Sequence, residues 1–115
     1  MIRNLTKKNI IAQDHRNISS LFGKARGLMF TTQANQHSLL FRFNKEQYIP
    51  LHMYFVFFSI DVVYLNKNKE VVETKESLKP FHFHYPKEKA QYVLELHEGT
   101  IREKDIAKGD LIQFE

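Results

Sequence analysis

The chain has 115 residues and a formal net charge of +4, from 17 Lys and Arg against 13 Asp and Glu with histidine counted as neutral. That length fits a single domain over residues 1–115, and 43% hydrophobic with 26% charged residues predicts a folded domain and excludes a disordered tail. Cysteine is absent, which excludes disulfides, thiolate metal sites and cysteine nucleophiles.

The first quarter of the chain predicts a hairpin followed by a helix. Two short apolar groups, residues 2–5 and 10–12, flank a polar stretch that has the length of a turn between two strands. From Ile18 to Met29, apolar residues recur with the period of one amphipathic helix. Asn17 is expected to cap this helix and Gly27 to end it.

The chain from residue 38 onward predicts strands. Residues 38–43 alternate between two faces, and residues 53–65 are too rich in aromatic and β-branched side chains for a surface helix, with a break near Ser59 and Asp61. Residues 66–69 have the composition of a hairpin turn. The segments that complete the pattern are an extended loop or edge strand with two prolines at 79–86, and strands at 91–96 and 111–115.

A short helical turn is expected near the C-terminus. Thr100, with Glu103 three residues later, has the spacing of a capping box and predicts a turn over residues 101–105. Strands at spacings near ten residues, without strand–helix–strand alternation, predict a mainly β domain. We expect a β-sandwich or barrel-like fold with mostly antiparallel strands, one amphipathic helix in the N-terminal quarter and this short turn.

Aromatic residues supply much of the apolar content, with ten Phe and five Tyr. A stacking platform for bases or sugars would need basic residues interleaved among them, and none occurs between Glu46 and Lys67. A core is the favoured interpretation, because a small domain needs large side chains to bury enough area. The aromatic residues concerned are Tyr48, Tyr54, Phe55, Phe57, Phe58 and Tyr64.

The location and partners are constrained by apolar runs and by charge. Polar residues interrupt the apolar ones over residues 1–9, so the chain lacks the core of a secretory signal and we expect a cytoplasmic protein. The longest apolar run, residues 53–58, is far below the roughly 20 residues of a membrane-spanning helix, so no membrane partner is predicted. The basic residues are scattered, which favours a solubilising role for the charge. We expect a monomer.

Five sequence blocks, in this order, resemble the DUF192 family, also called UPF0127. The blocks are Ala-Arg-Gly-Leu-Met-Phe at 25–30, Leu-Phe-Arg-Phe at 40–43, His-Met at 52–53 leading to Ile-Asp-Val-Val-Tyr-Leu at 60–65, Tyr-Val-Leu-Glu-Leu at 92–96 with Gly99, and residues 106–110. The resemblance implies a compact β-sandwich or barrel with one helix, and it supplies no reaction. The sequence departs from the commoner family pattern, in which Trp-Met-Lys-Asn-Thr precedes the aspartate and a proline takes the position of Ser59.

Asp61 is the most conspicuous single residue, because it lies in the most apolar part of the chain. A carboxylate there must be hydrogen-bonded or paired. Its functional interpretation is a ligand-binding group in a cleft bordered by His52 and Arg26. The structural interpretation, which we favour, is that it accepts backbone N–H bonds or pairs with Arg26 to fix a bulge.

Six histidines raise the question of a metal site. Only His82 and His84 have useful spacing, because side chains two apart on a strand project from one face. A zinc site needs further ligands from elsewhere in the fold, so this pair is a weak candidate and we predict no cofactor. Serine-hydrolase chemistry is unsupported, because no Gly-x-Ser-x-Gly sequence occurs.

The function predicted from the sequence is binding rather than catalysis. We expect a module for an unknown small ligand or protein partner at a cleft around Asp61. One alternative is a basic nucleic-acid-binding domain, and another is an enzyme or metalloprotein that uses Asp61 and histidines. The nucleic-acid alternative expects five lysines on one face, namely Lys45, Lys67, Lys69, Lys87 and Lys89.

Overall fold

The computed structural model describes residues 1–18, 38–53 and 58–115, and the side chain of Ile18 is not among the described features. These residues form β-strands and one short helix, which confirms the mainly β prediction. The strands are β1 (Ile2–Asn4), β2 (Asn9–Ala12), β3 (His15–Ile18), β4 (Ser38–Gln47), β5 (Leu51–His52), β6 (Ile60–Leu65), β7 (Val71–Leu78), β8 (Phe83–His84), β9 (Ala90–His97) and β10 (Ile112–Gln113), and the helix α1 is Thr100–Glu103.

The strands are arranged in three sheets. A five-stranded sheet has the order β3-β4-β9-β6-β7, a three-stranded sheet has the order β10-β1-β2, and β5 pairs with β8. All pairs are antiparallel except β3 with β4. Within the described ranges these sheets are open, so the barrel-like alternative is wrong. In the same ranges, no helix is long and apolar enough to cross a membrane.

Two apolar clusters lie on opposite faces of the five-stranded sheet, because successive side chains of a strand point to opposite faces. On β6, Val62 and Tyr64 belong to the first cluster, whereas Val63 and Leu65 belong to the second. The second cluster also contains side chains of β1, β2 and β10, so the three-stranded sheet packs on that face. All six residues of β6 are buried as a result.

The aromatic residues divide between core and surface. Tyr64 is fully buried and Phe58 is buried, which confirms the core interpretation for these two. Tyr48 is 58% exposed, and the Lys89 ammonium lies 5.7 Å from its ring centroid, so its assignment to the core is wrong. The other aromatic residues proposed for the core, at positions 54, 55 and 57, lie outside the described residues.

The predicted amphipathic helix falls almost entirely outside the described residues. At its expected start, Asn17 and Ile18 belong to β3, which pairs in parallel with β4. Asn17 is therefore not a helix cap, and its Oδ1 accepts a hydrogen bond from Nε of Arg42 at 3.3 Å. Strand pairing outweighs the local preference of asparagine for a cap, because tertiary context overrides propensity.

The predicted C-terminal turn is confirmed as α1, but its cap is not the one expected. Gly99 occupies the N-cap with φ of 94°, and a glycine has no side chain to cap the helix from that position. The Thr100 hydroxyl instead donates to the carbonyl of His97 at 2.7 Å. The predicted capping box of Thr100 with Glu103 is therefore wrong. The N–H groups of Gly99 and Ile101, at the start of α1, donate instead to the side chain of Asp61 on β6.

Asp110 ties the N-terminal hairpin to the C-terminal segment. Its Oδ2 accepts hydrogen bonds from Asn4 Nδ2 at 2.8 Å, Lys7 Nζ at 3.1 Å and the Ala107 N–H at 3.0 Å. Burial alone would raise the pKa of Asp110, but the hydrogen bonds from Asn4, Ala107 and Lys7, with the charge of Lys7, outweigh it and hold the pKa below its usual value. This buried carboxylate therefore joins residues more than 100 positions apart.

Candidate functional site

Asp61 lies on β6 with no exposed surface, and its carboxylate accepts three backbone N–H bonds. Oδ1 accepts from Ser77 at 2.9 Å, and Oδ2 accepts from Gly99 at 3.0 Å and from Ile101 at 2.9 Å. These donors come from β7 and from the start of α1. One side chain thus fixes two neighbouring segments of the backbone.

The Ser77 bond lies at an irregularity of β7. Ile60 is opposite Leu78 while Val62 is opposite Lys75, so two steps along β6 correspond to three along β7. Ser77 has φ of 54°, a left-handed conformation that is strained for a residue with a Cβ. Asp61 holds this bulge, so the prediction that it accepts backbone N–H bonds at a bulge is confirmed. Its expected pairing with Arg26 lies outside the described residues.

The structure does not bring His52 and Asp61 together. Asp61 projects from the face of the five-stranded sheet that carries Val63 and the second cluster. His52 is exposed on β5, and β5 packs through Leu51 on the first cluster, which is on the opposite face. Of the three residues predicted to border one cleft, Asp61 and His52 therefore lie on different sides, and Arg26 is outside the described residues.

A groove lies next to the Asp61 hydrogen bonds. It has a volume of about 390 Å³ and is lined by Glu76, Ser77, Gly99, Arg102 and Glu103. Two of these residues, Ser77 and Gly99, donate backbone N–H bonds to Asp61. The Arg102 side chain is 87% exposed, and its Nε is 3.7 Å from Oε1 of Glu76. The groove therefore combines backbone that is held by hydrogen bonds to Asp61 with side chains of both charge signs at its rim.

His82 and His84, the weak metal candidates, have separate partners. His84 Nε2 lies 3.0 Å from Glu73 Oε2, and both side chains are mostly buried. The exposed His82 places Nδ1 2.9 Å from the carbonyl oxygen of Pro80. Within the described ranges no group of three or more His, Asp or Glu side chains is arranged to hold a metal ion.

Glu73 accounts for the position of His84. Its Oε1 accepts N–H bonds from Lys87 at 2.8 Å and from Glu88 at 3.1 Å, while its Oε2 contacts the imidazole. The His84 ring also lies 5.7 Å from the ring of Tyr64. The pair thus fastens β8 and the following loop to β7.

Several of the lysines proposed for nucleic-acid binding come from one end of the five-stranded sheet. Gln47 of β4 is opposite Ala90, and Leu65 is opposite Tyr92, so Lys45, Lys67 and Lys89 all come from that end. Acidic residues lie among them, and Glu46 Oε2 accepts the Lys67 N–H at 2.8 Å. The Lys69 ammonium instead lies 4.5 Å from the ring centroid of Phe114.

Glu95 is the residue that sequence reasoning missed. It lies on β9, 5% exposed, and its Oε2 has no hydrogen-bond partner among the residues that the structure describes. Burial raises the pKa of Glu95 to about 8. The signal was in the sequence: Glu95 shares the parity of Val93, so in a strand buried on both faces it must point into an apolar cluster.

Comparison with known proteins gives a consistent family and fold. The model of the DUF192 family, described as "Uncharacterized ACR", matches residues 12–114. A UPF0127 protein of Thermococcus gammatolerans is 36% identical over 118 residues, covering 100% of this chain and 75% of its own. A UPF0127 protein of Pyrococcus furiosus is 34% identical over 113 residues, covering 96% of this chain and 95% of its own.

Two solved structures share the fold. One is a candidate transcription regulator of Sinorhizobium meliloti, with a TM-score of 0.78 and 22% identity, covering 86% of this chain and 79% of that one. The other is a protein of unknown function from Novosphingobium aromaticivorans, with a TM-score of 0.78 and 18% identity, covering 87% and 74%. At these identities the likeness is one of fold alone.

Proposed function

This chain belongs to the DUF192 family, and we propose that it acts as a binding module for a small polar ligand in the groove beside Asp61. The observation that carries the proposal is the link between Asp61 and the groove. Ser77 and Gly99 line it, and both are fixed by hydrogen bonds to the same buried carboxylate. A wall held in this way binds with little loss of conformational entropy. Asp61 then has a positioning role and does not contact the ligand.

The charges at the rim indicate the class of ligand. Arg102 offers an exposed guanidinium, which binds carboxylates and phosphates with paired hydrogen bonds. Glu76 and Glu103 offer carboxylates in the same groove. A small zwitterion, with an anionic group for Arg102 and an ammonium for the carboxylates, matches this arrangement. Free amino acids are the simplest probes of that class.

The test is a titration of the ¹⁵N-labelled protein with each of the common free amino acids, followed by amide NMR. We expect at least one amino acid to shift the Ser77 and Gly99 signals in a saturable way, and Arg102→Gln to abolish the effect. Lys108→Gln, which changes an exposed cation at a residue outside the groove, is the matched control. The proposal fails if no amino acid moves these signals.

Nucleic-acid binding is a second candidate function. It is favoured by one observation, which is that Lys45, Lys67 and Lys89 come from one end of the five-stranded sheet. Filter binding of single- and double-stranded DNA and RNA at 50 mM and 200 mM salt tests it. Phosphate contacts by several lysines would make the affinity fall steeply with salt, whereas retention that is absent at both concentrations excludes this function.

A further inference from the structure

The three-stranded sheet has an inner and an outer face. On β1, Ile2 belongs to the second apolar cluster, and Asn4 donates to the buried carboxylate of Asp110, so these two side chains point inward. Arg3 and Leu5 alternate with them along the strand and therefore point outward, where both are exposed. The outer face thus presents a cation next to an aliphatic side chain.

A second groove lies on this outer face, and we call it the outer groove. It has a volume of about 410 Å³, within the range of small-ligand sites, and is lined by Arg3, Asn4, Leu5, Lys8, Asn9 and Ile10. Arg3 of β1 is opposite Ile10 of β2, and the side chains of an opposite antiparallel pair share a face. The lining therefore combines two cations with two aliphatic side chains.

The apolar surface continues from the outer groove onto β10. The Leu5 N–H donates to the carbonyl of Leu111 at 2.8 Å, and Leu111 points outward because the next residue, Ile112, is buried in the second cluster. Leu5 is 44% exposed and Leu111 is 42% exposed. Single exposed leucines are ordinary, whereas a neighbouring pair that runs into a groove is the kind of surface that binds apolar groups.

The charge of the outer groove is positive. Lys7 is compensated within the chain, because its Nζ lies 3.1 Å from Oδ2 of Asp110 and 3.7 Å from Oδ2 of Asp105. Lys8 instead lines the groove together with Arg3, and the other described members of the lining are amides and aliphatic residues. Charge complementarity therefore selects an anion. The aliphatic side chains exclude water from one side of it, which strengthens its attraction to the two cations.

Two acidic residues lie at the margins of the same face. Glu70 is opposite Leu111 on the far side of β10, so a strand separates it from β1. Glu115 follows β10, and its Oε1 is 3.6 Å from the amino group of Met1. Neither acid is among the residues that line the outer groove, so both leave its positive charge in place.

We propose that the outer groove binds a small carboxylate with an aliphatic body, of the chemical class of short fatty acids. The Arg3 guanidinium donates paired hydrogen bonds to the carboxylate, and Lys8 supplies the second positive charge. The aliphatic body lies against Leu5 and Ile10 and extends towards Leu111. This site shares no lining residue with the groove beside Asp61, so it is independent of the function proposed above.

The experiment is a titration of the ¹⁵N-labelled full chain with n-octanoate below its critical micelle concentration, followed by amide NMR. We expect saturable shifts of the Leu5 and Ile10 signals. Acetate has the charge without the body, and each methylene removed from water strengthens binding about fourfold, so acetate should bind at least tenfold more weakly. 1-Octanol has the body without the charge, and it should also bind at least tenfold more weakly than octanoate.

Three variants complete the test. Arg3→Gln should weaken octanoate binding at least tenfold, and Lys8→Gln should weaken it about threefold, because the first removes paired hydrogen bonds and the second removes one point charge. Both side chains are exposed, so both variants should unfold at nearly the temperature of the unmodified chain. Arg102→Gln is the matched control, because it removes an exposed guanidinium outside the outer groove and should leave octanoate binding unchanged.

The proposal is overturned if octanoate produces no saturable shift at Leu5 and Ile10, or if acetate or 1-octanol binds as tightly as octanoate. It is equally overturned if Arg3→Gln binds octanoate as well as the unmodified chain does. Binding of amino acids beside Asp61 is read from the Ser77 and Gly99 signals instead, so the failure of one site is distinguishable from the failure of the other.

Discussion

Replacing Asp61 by Asn tests the role of the buried carboxylate directly. The two oxygens accept one bond from Ser77 and two from Gly99 and Ile101. An amide has one oxygen, so it can accept either the hydrogen bond from Ser77 or those from Gly99 and Ile101. Its NH₂ group must then face the N–H donor or donors on the other side. The variant therefore loses at least one buried hydrogen bond to a charged acceptor and gains a contact between two donors.

The expected loss follows from these contacts. Hydrogen bonds to a charged group contribute about 1.5–3 kcal/mol each, and an unsatisfied buried donor costs about 1–3 kcal/mol. We expect Asp61→Asn to lower the free energy of unfolding by about 2–4 kcal/mol. At about 4–8 °C per kcal/mol for a domain near this size, the Tm should fall by roughly 10–25 °C.

The assay is thermal and urea unfolding followed by circular dichroism, with and without any ligand that the groove binds. Asp105→Asn is the control, because the Asp105 side chain is 83% exposed, and its loss should stay within about 0.5 kcal/mol. A decrease for Asp61→Asn no larger than the control would refute the role of Asp61 as the anchor of β7 and α1. If the decrease appears only in the presence of ligand, Asp61 acts in binding instead.

Three further predictions concern stability. Burial raises the pKa of Glu95 from 4.5 to about 8, so its contribution to stability is highest below pH 4.5 and is lost as the pH rises to 8. Urea unfolding should therefore show that Glu95→Gln gains about 2–4 kcal/mol in free energy of unfolding, relative to the unmodified chain, as the pH rises from 5 to 8.5. The same dependence of this free energy on pH in both proteins would contradict the prediction. The pKa of Asp110 is lower in the folded state than in the unfolded state, so the contribution of Asp110 to stability is present above the unfolded-state pKa and is lost as the pH falls through the folded-state pKa. In urea unfolding, Asp110→Asn should therefore be less stable than the unmodified chain at pH 7 and nearly equal to it at pH 2. Gly99 and Gly109 both have φ of 94°, and nothing lies within 4 Å of a Cβ added at either position. Gly99→Ala and Gly109→Ala should therefore each lower the free energy of unfolding by about 1–2 kcal/mol through backbone strain alone. A decrease of less than about 0.3 kcal/mol in thermal unfolding would exclude that strain.

The strands were predictable where apolar alternation and turn chemistry agree. The turn at residues 66–69 joins β6 and β7 as expected, and Asn66 Oδ1 accepts N–H bonds from Asn68 and Glu70 at 2.9 and 3.0 Å. The left-handed residue in that turn is Lys69 and not an asparagine. Residues 2–12 form the predicted hairpin of β1 and β2.

The failures have a common physical cause, which is pairing between segments that are distant in sequence. Asn17 follows the local rules for a helix cap, but a parallel partner more than 20 residues away makes it part of β3. Thr100 follows the local rules as well, but Asp61 satisfies the start of α1 from β6. The hydrogen-bonding of Asp61 was predictable from its apolar neighbours, whereas the identity of its donors depends on the register of three strands.

The placement of β1 has a consequence for synthesis on the ribosome. β1 lies between β2 and β10, and Arg3 is opposite Gln113, so β1 pairs with a strand that is made more than 100 residues later. Residues Ile2 and Ile112 are both almost completely buried in the same cluster. The nascent chain cannot complete this sheet until residues 112–113 have left the exit tunnel, so the apolar face of the hairpin of β1 and β2 stays uncovered while the intervening residues are made. A ribosome stalled before residue 112 should therefore hold a chain that proteases readily cut.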